Sequence, residues 1–169
     1  MTSGLRRCRV THAGLLPLLL AACAAAPASP SATPSAAGPP ERWTATSTTS
    51  VSITGDVTFQ PGKVTFQNGR SLALARIGPV ADFKTLLGTV PATLYRVTPP
   101  ADPVLENDNR LCGQGRHSWL VTFVVIWRPS PLPGDVSPRM MDTFSGRAAP
   151  GSEQDAGFCG SFAYDRRGP

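Results

Sequence analysis

The side chains able to act as nucleophiles, metal ligands or acid–base groups are few in this chain. There are four cysteines and two histidines among 169 residues, with eleven acidic residues in all. His117, flanked by Arg116 and Ser118, is the one histidine beyond the first 22 positions. A lone imidazole beside the start of an apolar run reads as a solvated or capping group. No Cys-His or Ser-His-acid set forms around it, and no GxSxG, P-loop or HExxH motif occurs. Asp102, Glu106, Asp108 and the neighbouring asparagines could hold a calcium ion weakly. The EF-hand spacing, with glycine sixth and glutamate twelfth, is missing, so a solvated polar turn is the better reading. Asp56, Asp82 and Asp142 are candidates for a glycoside-cleaving carboxylate pair only by default. The expectation is a non-enzymatic chain with no catalytic residue, no metal site and no cofactor.

The cysteine that does carry a motif is Cys23. Arg6, Arg7 and Arg9 precede the apolar run Leu15-Leu16-Pro17-Leu18-Leu19-Leu20, and no acid appears before Glu41. A basic segment, a short apolar stretch and small residues make an export signal over residues 1–22. As a helix the apolar stretch reaches about half the thickness of a hydrocarbon core, too short to span one. Leu20-Ala21-Ala22-Cys23 resembles the lipobox of bacterial lipoproteins at every position. That resemblance implies cleavage before Cys23, a diacylglyceryl thioether on its sulfur and a further acyl chain on its new amino group. More than one acyl chain gives stable anchoring where one gives marginal binding. Ala24 in the sorting position implies the outer membrane, on its periplasmic face, in a cell that has two membranes.

Residues 24–40 contain only Ala, Pro, Ser, Thr and Gly. With no large apolar side chain to bury, this stretch is expected to be disordered. Its prolines keep it extended over roughly 50 Å, at about 3 Å per residue. With Cys23 it reads as a tether, 23–40, ahead of a folded domain at 41–169. The formal charge of +5 changes with export, because three arginines leave with the signal and +2 remains. The remaining basic residues are scattered, without the stripe that a nucleic-acid footprint needs, so no nucleic-acid partner is expected.

Export also settles the remaining thiols. Cys8 leaves with the signal and Cys23 takes lipid, so Cys112 and Cys159 read as one disulfide. They lie 47 positions apart, and closing a loop of that size is worth roughly 4 kcal/mol by chain entropy. Gly113, Gln114, Gly115 and Arg116 follow directly, a glycine-rich loop pinned by the disulfide and a candidate binding edge.

The elements that position these groups are mostly strands. Val57-Thr58-Phe59-Gln60 and Val64-Thr65-Phe66-Gln67 repeat one alternating pattern across Pro61-Gly62-Lys63. Asn68-Gly69 follows as a hairpin signal, and residues 71–77 alternate through Leu72 and Leu74. Residues 45–53 predict a further strand. Asp82, Phe83, Leu86, Leu87 and Gly88 predict the one helix, over 79–88. Residues 119–127, WLVTFVVIW, are apolar on both faces, which predicts a strand between two layers or a barrel wall beneath the helix. Residues 93–97, 140–144 and 158–164 supply further strands. The fold class is all-β, a small antiparallel barrel or sandwich with one short helix. The low charge content and 18 prolines exclude a coiled coil.

The organisation is similar to small bacterial lipoproteins that inhibit lysozyme or stabilise envelope complexes, and more broadly to META-type lipoprotein domains. No site motif of those families is present, so no functional residue is carried over. The expected role is a membrane-anchored envelope protein whose β domain binds a protein partner or inhibits a cell-wall-active protein. The alternatives are a small-ligand carrier in a barrel interior and, less so, a hydrolase.

Overall fold

Alternating apolar and polar residues carry most of the domain into strands, and the order of those strands is the order of the sequence. The structure, a computed structural model, describes residues 39–113, 119–129 and 138–166. The signal segment, Cys23, most of the tether, and Gln114, Gly115, Arg116 and His117 lie outside the described residues. Eight strands appear among the described residues: β1 (Glu41–Ala45), β2 (Val57–Gln60), β3 (Lys63–Thr65), β4 (Ser71–Thr85), β5 (Gly88–Ala101), β6 (Val121–Trp127), β7 (Arg139–Phe144) and β8 (Phe158–Arg166). Each pairs antiparallel with its neighbour, and β8 returns to β1 to close an up-and-down barrel. The barrel rather than the sandwich is therefore the architecture.

Two expected elements change type. Residues 45–53 do not continue as a strand. After Ala45 the chain forms α1 (Thr48–Ile53), the single α-helix among the described residues. Ser47 starts it: its hydroxyl accepts from the Ser50 backbone N–H at 3.1 Å, and the Ser50 hydroxyl accepts from the Ser47 N–H at 3.0 Å. Serine-rich sequence offers these local bonds in place of a ladder, and the reciprocal cap wins. Gly55 turns the chain from α1 into β2 at φ +59°, where a Cβ would sit 2.3 Å from the Gln67 side chain.

The helix expected over 79–88 is instead a hairpin. Phe83 pairs with Val90 and Thr85 with Gly88, leaving Leu86-Leu87 as the turn. Three apolar residues at helical spacing are a weak signal, and tertiary context overrides it. That context is β6, whose outer apolar face needs cover. Register shifts at Arg76/Gly78 and Val80/Phe83 bend the β4–β5 arm, which lays Phe83 and Val90 into a cluster with Phe123, Val125 and Trp127.

Two apolar cores result. All eight strands contribute to the barrel interior, filled by Trp43, Phe59, Leu72, Met141, Phe162 and Tyr164 among others. Trp43 stacks on Phe59 with ring centroids 4.9 Å apart. The second core lies outside the wall, between the arm and β6–β7. The β6 strand serves both, with Val124 inward and Phe123, Val125 and Trp127 outward. Of the face expected to share one core, Trp119 is 53% exposed, because it precedes the strand.

Truncating Phe123 to alanine empties a fully buried site in the outer core and is expected to cost about 3–5 kcal/mol. Leu86→Ala, at an 83% exposed turn position, should stay within about 0.5 kcal/mol. Urea midpoints of the two variants check the contrast.

Candidate functional site

One end of the barrel is closed by α1 and by residues 102–112. The Ser50 hydroxyl donates to the Ala163 carbonyl at 2.8 Å, and the Thr54 hydroxyl lies 2.7 Å from the buried Tyr164 hydroxyl. Burial raises the Tyr164 pKa further above its ordinary value, so this contact is between neutral groups. Asn107 and Asn109 each donate to the Ser52 carbonyl at 3.1 Å, tying the loop to the helix. Asp102 accepts from the Leu111 N–H at 2.9 Å and the Cys112 N–H at 3.2 Å. Its burial raises the carboxyl pKa while those two N–H groups oppose the rise. The acidic loop that resembled a weak calcium turn is thus the strap over the barrel end, with both Asp102 oxygens engaged by backbone.

The disulfide forms as expected between Cys112 and Cys159, Cα atoms 4.5 Å apart. It joins this strap to the start of β8. Gly113, at φ +87° and exposed, leads into the candidate binding loop, of which Gln114, Gly115 and Arg116 are outside the described residues. Beyond them stand Trp119 and Leu120, 53% and 48% exposed.

Leu120 lines a cleft of about 560 Å³ together with Arg96, Pro100, Thr122 and Arg147. The cleft exists because β5 and β6 lose register between Arg96↔Phe123 and Ala101↔Val121. Pro99 and Pro100 lie in that interval and cannot donate to a ladder. Across the cleft, the Thr122 hydroxyl donates to the Gly146 carbonyl at 2.6 Å, and Arg96 covers the Phe123 ring at 4.8 Å. A Pro-Pro step inside a strand pattern was the available sequence signal for this break. The strand expected over 93–97 stops short of this step, whereas β5 continues through it to Ala101.

The opposite end of the barrel is polar. Glu41 accepts from the Trp43 indole at 3.1 Å and pairs with Arg139 at 3.3 Å and Arg166 at 3.7 Å. Nothing in the one-dimensional pattern links these residues, because barrel closure alone brings β1, β7 and β8 together.

Asp142 is the buried acid of the outer core. It accepts from the Trp127 indole and the Ser161 hydroxyl, each at 2.6 Å. Desolvation pushes its pKa up to about 7 against those bonds, and the nearby Glu153 carboxylate adds to the rise. Glu153 also accepts from the Leu86 N–H at 2.6 Å at the arm's turn. Of the other default carboxylates, Asp56 accepts from the Ala45 N–H at 3.0 Å and Asp82 is exposed on the arm. The three are not brought into one cleft: Asp142 has no exposed surface and anchors Trp127.

The class that fold and site define is an eight-stranded up-and-down barrel with a packed interior, a disulfide-tied closed end and a cleft in its wall. Comparison with protein-family models, with curated proteins and with solved structures finds no match.

The folded state keeps a proton on Asp142 up to about pH 7, whereas the unfolded carboxyl loses it near 3.8. Between these values the unfolded state binds fewer protons, so stability falls as pH rises through the window and levels off above it. Urea midpoints at pH 5 and pH 8 should show the fall in the wild type and its loss in Asp142→Asn.

Proposed function

We propose that the protein is a lipid-anchored envelope lipoprotein whose β barrel presents a non-enzymatic binding surface to a protein partner, a cell-wall-active protein that it engages or inhibits. One observation carries the reading: Leu120, exposed and next in the chain to the exposed Trp119, lines the cleft of a barrel tied by the Cys112–Cys159 disulfide. Large apolar side chains are costly to leave in water, and an aromatic beside an arginine-lined cleft has the composition of an interface centre. The disulfide suits an oxidising compartment. The lipobox at 20–23 and the extended tether supply the anchor and the distance from the bilayer. The periplasmic face of the outer membrane is the proposed location in a cell with two membranes. The interior, filled by Trp43, Phe59, Met141, Phe162 and Tyr164, favours recognition outside the barrel over carriage of a ligand within it.

Intact mass of the protein from a membrane fraction should show Cys23 carrying acyl chains, and Cys23→Ser should release the protein from that fraction. An unmodified Cys23 would overturn the anchor. A photo-crosslinking residue at position 120 in living cells should then capture one specific envelope protein. That capture should fall at least tenfold in Trp119→Ala and be absent when the same probe is placed at the exposed Leu86. Equal capture from both positions, or none from position 120, would overturn the binding surface.

A further inference from the structure

Among the described residues, several arginines gather at the polar end of the barrel. Arg139 opens β7 and Arg166 ends β8, while Arg76 on β4 hydrogen-bonds the Tyr95 hydroxyl. Arg128 follows β6 and adds its charge to Arg139. Against these stands Glu41, already engaged by the Trp43 indole, Arg139 and Arg166. Arg139 is the most confined, with a side chain 16% exposed and its guanidinium 5.3 Å above the Trp43 ring. Its Nε is buried and has no hydrogen-bond partner among the described residues. An unmet donor on a cation costs more than one on a neutral group. Burial and the Arg128 and Arg166 charges all disfavour the charged form of Arg139, and Glu41 supports it.

Beside this guanidinium the structure has a cavity of about 370 Å³, lined by Pro79, Thr93, Ile126, Trp127, Arg128 and Arg139 among others. Its size falls in the range of small-ligand sites. Two arginines and a threonine hydroxyl give it donors, and Ile126, Trp127 and Pro79 give it apolar walls. We propose that this rim cavity binds an oxyanion, a carboxylate or phosphate group, between Arg139 and Arg128. A guanidinium edge matches an oxyanion with two parallel N–H bonds, and the Nε–H of Arg139 has no partner among the described residues. A short apolar substituent on the ligand would lie against Ile126 and Trp127. The site stands at the other end of the barrel from the partner surface and does not depend on it.

The test follows the Trp43 indole N–H by NMR in the ¹⁵N-labelled full chain while inorganic phosphate is added, with ionic strength held by chloride. A saturable shift of that signal, with the Trp119 indole unmoved, is the expected result. Arg128→Gln, which leaves the Glu41 pairs intact, should weaken binding about tenfold, the scale of a lost charged hydrogen bond. Arg139→Gln should abolish it, and the unchanged spectrum elsewhere reports that the fold survives. Parallel titrations with butyrate and with anionic phospholipid vesicles distinguish the sources of the oxyanion. A Trp43 shift with butyrate identifies a carboxylate, and one with vesicles alone identifies a lipid headgroup. A linear shift, one equal in Arg128→Gln, or no shift with any of the three probes would overturn the proposal.

Discussion

Three residue pairs turn a meander into a barrel. Trp43↔Arg166, Thr44↔Asp165 and Ala45↔Tyr164 join the first strand to the last, and closure removes both edges that an open sheet would leave for other chains to pair with. The same pairs fix the character of each end. Tyr164 is drawn under α1, where its hydroxyl meets Thr54. Arg166 is drawn beside Glu41, where it joins Arg139. An interior ringed by eight strands is just wide enough for side chains to fill it. In this chain Trp43, Phe59 and Tyr95 meet inside by stacking and edge contacts. Chemistry is therefore left to the two ends and the outer wall.

The wall has its own core because β6 is apolar on both faces. Inward, Val124 belongs to the barrel; outward, Phe123, Val125 and Trp127 would face water without the β4–β5 arm. Phe83 on the arm meets Phe144 edge-on at 6.3 Å. The arm is held at its turn by backbone bonds from Lys84 to Gly151 and from Glu153 to Lys84. Asp142 lies beneath this layer with two strong donors. A carboxyl there fixes the Trp127 ring at the cost of desolvation, so the outer layer is more sensitive to protonation than the barrel proper.

Much of the fold was legible in the residues. The repeated VTFQ segments pair as read, with Phe59 opposite Val64, because period-two alternation and a Pro-Gly turn agree. The two-faced apolar character of residues 121–127 correctly implied a second layer. What covers it was not legible, since Phe83, Leu86 and Leu87 fit a helix as well as a hairpin, and Val90 opposite Phe83 decided between them. Residues 45–53 misled in the other direction, because threonine and serine favour strands by shape and helix starts by hydrogen bonding. The disulfide was legible from counting thiols. The wall cleft and the arginine-rich rim were not, because each assembles residues more than twenty positions apart through strand register.

The order of synthesis meets the closure in one consequence. Every sheet contact from β1 through β7 is between sequence neighbours, so those hairpins can form as the chain lengthens, with little loop entropy to overcome. The exception is β1, which has its second partner only when residues 164–166 arrive. Until then β1 and β7 each lack the partner that β8 supplies. Cys159 precedes those last residues by five positions, and its bond to Cys112 holds the incoming strand against the strap at the closed end. In an oxidising compartment, that bond makes the final zippering of β8 onto β1 a nearly local event.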